Sequence, residues 1–235
     1  MTTTARPTTA TSDPTRNHAR AAGIFYLLTF AASLPAFAVI GSAVNPDLTV
    51  AAGHDTELLS AGFLDFVNAL ACIGSAVALF PVVKRQNQAL ALGFVTSRLL
   101  EAAIIMTGVV SLLAVVTLNQ NGTGTTGTSQ AFVAVRDWTF LFGPGFMASI
   151  NAVLLGTLMY QSRLVPRIIP TLGLIGAPLL FTANVATVFG HNEQTSAITM
   201  LATVPIACWE LSVGSWMAFK GFKPAPVTAG LTKVD

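Results

Sequence analysis

Long apolar stretches alternate with short polar segments along this chain. Six of the stretches have the roughly 20 residues that a helix needs to cross about 30 Å of hydrocarbon. They are residues 21–43, 58–82, 90–118, 132–160, 169–189 and 197–219. The pattern therefore predicts an all-α, polytopic integral membrane protein with six transmembrane helices.

The composition excludes an ordinary soluble domain. Of the 235 residues, 53% are apolar and only 9% are charged, against about 25% charged in typical globular proteins. So little charge cannot cover the surface of a folded chain in water, and most of that surface must face lipid. The lipid bilayer is therefore the expected partner.

Polar segments flank the apolar region on both sides. Residues 1–20 are rich in Thr, Pro and Arg without an apolar period, which predicts a disordered N-terminal tail. Residues 21–220 hold the six spans, and residues 221–235 form a C-terminal tail. The first span exceeds the apolar core of about 7 to 15 residues that is usual in a cleaved signal peptide, so we expect it to be retained.

Lysine and arginine residues outside the spans lie in alternate segments of the chain. They occur in both tails, in the loop between spans 2 and 3 and in the loop between spans 4 and 5, whereas the other three loops have none. Because positive charge marks the cytoplasmic side, both termini are predicted to be cytoplasmic. The net charge of +2 therefore follows membrane sidedness and does not indicate a nucleic-acid partner. The basic residues are Arg6, Arg16, Arg20, Lys84, Arg85, Arg163, Arg167, Lys220, Lys223 and Lys233.

Six ionisable residues nevertheless fall inside the predicted spans. Each costs about 2.5 to 3.5 kcal/mol near the centre of an isolated transmembrane helix, so these residues must face the bundle and find partners there. They are therefore the candidate functional residues. They are Asp65, Arg98, Glu101, Arg136, Asp137 and Glu210.

Three of these residues are predicted to meet at one depth. Arg98 and Glu101 lie roughly 13 to 18 Å from the cytoplasmic end of span 3, and Glu210 lies about 14 Å from that end of span 6. The guanidinium of Arg98 can therefore pair with Glu101 in its own helix and with Glu210 across the interface between spans 3 and 6. Two carboxyls for one cation leave open whether one of them is protonated, and we treat Glu210, Glu101 and Arg98 as the candidate catalytic residues.

A second group lies nearer the outer boundary and is predicted to bind rather than react. Asp65, Asn68 and Cys72 share one face of span 2 by their i, i+3, i+7 spacing, and that face should point inward. We expect Arg136 to pair with Asp65, and Asp137 to cap or approach the start of span 4. The Gly143-Pro144-Gly145 sequence is the sharpest interruption within a span, and such breaks let a cavity form between helices.

Metal and cofactor signals are weak. His54, Asp55, Glu57, His191 and Glu193 lie on the outer side, but without HExxH or another close ligand spacing, so no metal site is predicted. Nothing resembles a P-loop, a dinucleotide fingerprint or GxSxG, and no cofactor is predicted. Cys72 and Cys208 both fall in apolar runs, which excludes a secreted disulfide framework.

Four segments of the chain resemble a known family. They are SRLLEAA at 97–103, RDWTFLFGPGFMASINAVLLG at 136–156, SRLVPRIIPTLGLIGAPLL at 162–180 and VPIACWELSVGSW at 204–216. Together they are similar to the bacterial domain-of-unknown-function family 4386 (DUF4386), small proteins of about six membrane helices. The resemblance covers about residues 20 to 222 and implies a location in the bacterial cytoplasmic membrane, but it implies no activity.

Two classes of function remain open from the sequence. The first is a non-enzymatic membrane protein that binds or moves a small solute, proton or lipid through the intramembrane polar groups. Transport by only six short-looped helices would require a homo-oligomer. The second is a membrane-embedded enzyme in which Glu101 or Glu210 is a general acid for isomerisation, cyclisation or hydrolysis of a lipophilic substrate. An apolar pocket with carboxyls at its wall would favour the enzyme, whereas a continuous polar path from Asp65 to Glu210 would favour transport.

Overall fold

The structure, a computed structural model, describes residues 14–51 and 53–229. Its seven α-helices are α1 (Pro14–Ala43), α2 (Asp55–Val83), α3 (Gln88–Gln120), α4 (Thr126–Phe140), α5 (Ala148–Ser162), α6 (Ile168–Val188) and α7 (Ala197–Ser215). Two π-helical segments, Leu141–Met147 and Trp216–Lys220, follow α4 and α7, and a short 3₁₀ turn covers Pro226–Thr228.

Six helical segments are long and apolar enough to cross a membrane, as predicted. The π-helical segment Leu141–Met147 joins α4 and α5 into the fourth span, Thr126–Ser162, while α1, α2, α3, α6 and the extended α7 supply the others. Spans of 21 to 37 residues match or exceed the length that the hydrocarbon core requires. The predicted fold class is therefore confirmed.

The first helix begins earlier than the sequence predicts. The predicted disordered tail included residues 14–20, but this stretch is the first two turns of α1. Thr15 and Ala19 are buried there, and His18 Nδ1 lies 3.2 Å from the Ala78 carbonyl oxygen of α2. The prediction is wrong for this stretch because one face packs on the bundle while Arg16 and Arg20 stay exposed. Residues 1–13 lie outside the described residues.

The fourth span also begins earlier, at Thr126, and this changes the predicted place of Asp137. The Thr125 side chain accepts a hydrogen bond from the Thr128 N–H and is the N-cap of α4. Asp137 lies more than two turns inside the helix, so the prediction that it caps or approaches the start of this span is wrong. The apolar residues begin near residue 132, but the cap at Thr125 lets the helix start earlier, in a turn that is only weakly apolar.

The helices close into a bundle. α1 packs on α2, α2 on α3, α3 on α4, α5 on α6, α6 on α7, and α7 returns to α1. α3 also contacts α5 and the π-helical segment Leu141–Met147, so it packs along the whole fourth span as well as on α2.

Charge distinguishes the two ends of the bundle. The basic end carries Lys84, Arg85, Arg163, Arg167 and the residues after Lys220, and the acidic end carries loops 44–54, 121–125 and 189–196. At the acidic end Asp47 accepts hydrogen bonds from both the N–H and the hydroxyl of Thr49, and these bonds lower the pKa of the carboxyl.

The main apolar core fills the basic half of the bundle. Its largest fully buried side chains include Tyr26, Leu79, Phe94, Leu155 and Trp209, drawn from five helices. A smaller cluster joins α1, α2 and α3 near the acidic end. Between the two, α1 and α7 are less closely packed, and this is where the candidate site lies.

Two glycines allow α1 and α7 to touch at the basic end. A Cβ added to Gly23 would lie 2.2 Å from the Ala218 nitrogen and 2.6 Å from the Gly214 carbonyl oxygen. A Cβ on Gly214 would lie 2.8 Å from the Tyr26 Cβ. Because only hydrogen fits at this crossing, the two helices are in backbone contact here and separate toward the acidic end.

Candidate functional site

A cavity of about 290 Å³ lies in the acidic half of the bundle. Its walls are mainly apolar, and aromatic and aliphatic side chains come from α1, α4, α6 and α7. Representative apolar wall residues are Phe30, Phe37, Phe140, Leu180 and Ile206. Its volume is close to the lower limit for small-molecule sites, which is about 300 Å³.

The cavity opens sideways between α1 and α7. Leu34 of α1 and Met200 of α7 both line it, yet 61% and 54% of their surfaces are exposed at the side of the bundle. The opening therefore lies on the face of the bundle that would contact lipid chains, in the half nearer the acidic end.

The π-helical segment shapes the opposite wall. It holds the Gly143-Pro144-Gly145 sequence, and Pro144 and Gly145 line the cavity. Proline cannot donate an N–H to a helix, and the wider π turn absorbs this missing bond without ending the span. Gly145 keeps room for α6, since a Cβ there would lie 3.1 Å from Asn184 Nδ2.

Arg98 lies at the deep end of the cavity and is only 2% exposed. Its Nη1 donates a 2.9 Å hydrogen bond to Glu101 Oε2, and its Nη2 lies 3.6 Å from Glu210 Oε1. The structure therefore brings together the three residues predicted to meet, with Glu210 contributed by α7. The guanidinium also lies over the Tyr26 ring, 4.7 Å from its centroid, which adds a cation–π contact.

Sequence reasoning missed Asn151 of α5. Its Nδ2 donates a 2.7 Å hydrogen bond to Glu101 Oε2, so this oxygen is held by both Arg98 and Asn151. The available signal was a single amide in the apolar segment ASINAVLL. Glu101 is therefore fixed by hydrogen bonds, whereas the described residues offer Glu210 only the longer ion pair.

Asn184 of α6 is the second residue that the sequence did not reveal. It is 2% exposed and lines the cavity, and its Nδ2 has no hydrogen-bond partner among the described residues. An unpaired buried amide is costly, about 1 to 3 kcal/mol. A ligand that supplied the missing partner would recover that energy.

The predicted polar face of α2 does point into the cavity. Asp65, Asn68 and Cys72 all line it. The Cys72 thiol lies 3.6 Å from Arg98 Nη1 and 4.0 Å from Asn68 Oδ1. This face therefore forms a polar strip that leads from Asp65 to the deep end.

Arg136 pairs with Asp65 as predicted. Its Nη2 lies 3.9 Å from Asp65 Oδ2, and its Nη1 lies 3.5 Å from Asp137 Oδ1. Asp65 also lines a small adjacent cavity of about 20 Å³ beside Arg136. Asp65 therefore lines the same cavity as Arg98, Glu101 and Glu210, whereas Arg136 and Asp137 do not line it.

The outer histidines do not assemble a metal site. His54 contacts Glu57 in the first turn of α2. Within residues 14–51 and 53–229, no group of three or more His, Cys, Asp or Glu side chains is placed to hold a metal ion.

The residues that form this cavity lie within the segment matched by a family model. The model is described as a domain of unknown function, DUF4386, and it matches residues 21–221. The chain belongs to this family. No curated protein and no solved structure matches the chain. The description of the family names no activity.

The chemistry available at the site is that of an apolar pocket with ionisable groups at one end. Glu210 is the carboxyl that can exchange a proton or meet a ligand, because Glu101 is held by two donors. The polar strip reaches Arg98 and Glu101 but does not continue past them, where Tyr26, Phe94 and Leu155 of the core are fully buried.

Proposed function

We propose that this protein binds a small lipophilic molecule within the membrane. The observation that supports this proposal is the 290 Å³ apolar cavity, whose deep end presents Arg98 and Glu210 and whose wall nearer the acidic end carries the unpaired amide of Asn184. An apolar pocket with a few convergent polar groups is the usual form of a small-molecule site. The apolar body of the ligand would fill the walls, and its polar group would lie at the deep end.

The closed basic half of the bundle favours binding over passage through the protein. A transport path would need polar groups on both sides of the membrane midplane. Here the polar strip of α2 runs from Asp65 to Arg98, and the packed core lies beyond it. Entry between Leu34 and Met200 suits a ligand that arrives from the lipid, and Gln194 and the exposed Thr195 extend the cavity to the loop at the acidic end.

A membrane-embedded enzyme is the second candidate, and one observation favours it. The carboxyl of Glu210 lies at the wall of an apolar pocket, 3.6 Å from the Arg98 guanidinium. Such a group suits proton donation to a lipophilic substrate, for example in an isomerisation where the substrate returns a proton. Of the four predicted binding residues, Asp65 and Asn68 line this cavity, while Arg136 contacts Asp65 from beside it and Asp137 lines neither cavity.

The orientation belongs to the same proposal. The acidic end faces the outside of a bacterial cytoplasmic membrane, and both termini are cytoplasmic, because all basic loops lie at the other end. We expect alkaline phosphatase fused after residue 192 to be active and the same enzyme fused after residue 86 to be inactive. Green fluorescent protein fused at the two positions should give the reverse result. Phosphatase activity at residue 86 would contradict this orientation.

The binding function predicts that a molecule co-purifies with the protein. Native mass spectrometry of the parent in detergent should show an added mass, and extraction should yield a lipophilic compound. Asn184→Leu should reduce its occupancy at least about tenfold, because a polar contact inside a dry pocket is lost.

Thr187→Val is the matched control for this experiment. Thr187 lies one turn further along α6, bonds to the Ala183 carbonyl within its own helix and does not line the cavity. Equal occupancy in the parent and in Asn184→Leu would contradict the proposed site. Incubation of the purified protein with the extracted compound separates the two candidates, since chemical conversion of the compound favours the enzyme.

A further inference from the structure

We propose that the molecule bound in this cavity is a lipophilic amine, held as its ammonium ion against Glu210. The inference rests on the proposed binding function and names the ligand class for that site. It follows from the balance of charges and from the aromatic walls of the cavity.

Negative charge exceeds positive charge at the cavity. Three carboxyl side chains line it, those of Asp65, Glu101 and Glu210, but Arg98 is the one guanidinium among its lining residues. Arg136 lines the adjacent small cavity and forms an ion pair with Asp65, but it also pairs with Asp137. The carboxyls of Asp65, Glu101, Asp137 and Glu210 thus face only the guanidiniums of Arg98 and Arg136 within this part of the described bundle, and a cation is the ligand that reduces this imbalance.

Glu210 is the carboxyl left for such a cation. Arg98 and Asn151 both donate to Glu101, whereas Glu210 has the 3.6 Å contact with Arg98. The ionisable groups around Glu210 are Arg98 and Glu101 of α3, Tyr26 of α1 and Cys72 of α2. None of these except Arg98 is a cation, so the second carboxyl has no cation of its own among the described residues.

Aromatic side chains line the same cavity as these carboxyls. Phe30 and Phe37 of α1 and Phe140 of α4 line the cavity, and the rings of Phe37 and Phe140 stack with centroids 5.4 Å apart. Ring faces attract cations, more strongly where water is excluded. Aromatic rings beside a carboxyl are a typical arrangement for recognising an alkylammonium group.

Asn184 lies too far from Glu210 to contact the same ammonium ion. A Cβ on Gly176 would lie 2.9 Å from the Pro205 Cβ and 3.0 Å from the Ile206 nitrogen, so these turns of α6 and α7 lie side by side. From that level Asn184 is about two turns toward the acidic end and Glu210 about one turn toward the basic end, roughly 18 Å apart along the helix axes. The unpaired Nδ2 is a donor and suits an acceptor elsewhere on the ligand, away from the ammonium group.

Three probes with the same body and different charges test the inference. Aminoadamantane, hydroxyadamantane and adamantane carboxylate share one rigid cage of about the size that a pocket of this volume holds. Each is titrated into the full chain in phosphatidylcholine nanodiscs at neutral pH, and protein-free nanodiscs correct for partition into lipid. We expect the amine to bind at least about tenfold more tightly than the alcohol, and the carboxylate to bind weakest.

Variants of Glu210 test whether the amine binds at this carboxyl. Glu210→Gln should weaken amine binding at least about tenfold, and Glu210→Asp should retain most of it because the charge is kept. Glu193→Gln is the control, since it removes an exposed carboxyl at the acidic end, outside the cavity. Gel filtration and circular dichroism establish that each variant is folded.

The outcomes distinguish failure of this inference from failure of the proposed function. If the alcohol or the carboxylate binds as tightly as the amine, the ligand class is wrong while the binding site stands. Amine binding that is unchanged in folded Glu210→Gln contradicts the placement against Glu210. If none of the three probes binds, and the parent also yields no co-purified compound, both proposals are contradicted.

Discussion

Arg98→Leu is expected to lower the free energy of unfolding by about 3 to 5 kcal/mol, the cost of removing one partner from a buried ion pair. The change leaves Glu101 and Glu210 facing each other at the deep end of the cavity without the guanidinium between them. Equilibrium unfolding in mixed detergent micelles, followed by circular dichroism, measures the difference from the parent.

Two further variants make this expectation specific to the buried pair. Arg20→Leu removes an exposed arginine near the start of α1 and should change stability by less than about 0.5 kcal/mol. Replacing Arg98, Glu101 and Glu210 together by leucine should recover much of the loss, because no buried charge is then left unpaired. An Arg98→Leu variant that unfolds like Arg20→Leu would show that the pair contributes nothing to stability.

The sequence identifies Arg98, Glu101 and Glu210 because lipid makes ionisable residues costly. Few such residues occur within the spans, and their depth follows from the helical rise. Equal depth and opposite charge were then enough to predict one cluster from two distant segments of the chain. The same reasoning predicted that Arg136 would pair with Asp65.

Asn151 and Asn184 show where this reasoning ends. A neutral amide costs far less than a charge in an apolar helix, so hydropathy does not single it out. Its importance depends on which groups lie opposite it: Asn151 meets Glu101, and Asn184 meets the cavity. Such pairings across helices are set by the packing of the bundle, which a single sequence does not reveal.

The ends of the spans were predicted less well than their number. Hydropathy marks where the apolar residues stop, but a helix continues into polar residues that reach water. α1 therefore extends back to Pro14 and α4 back to Thr126. The cavity itself was not predictable in shape, because it depends on how α1 and α7 separate after they cross at Gly23 and Gly214.

That crossing leads to the second expected large effect. Gly23→Val should lower the free energy of unfolding by about 3 kcal/mol, the upper part of the usual range for overpacking. The nearest atoms to the new side chain are the backbone nitrogen of Ala218 and the carbonyl oxygen of Gly214, which cannot move aside as a flexible side chain would. The helices must therefore separate at their contact point, and the cavity between them must change shape.

Gly41→Val is the matched control on the same helix. A Cβ at Gly41 meets nothing within 4 Å, so this variant carries the helix-propensity difference between glycine and valine without the clash. Mixed-micelle unfolding of both variants isolates the cost of the crossing, and titration with aminoadamantane tests whether the cavity depends on it. We expect Gly23→Val to be the less stable variant and to bind the amine more weakly, while Gly41→Val stays close to the parent. Equal stability of the two variants would mean that α1 and α7 are not held in backbone contact at this point.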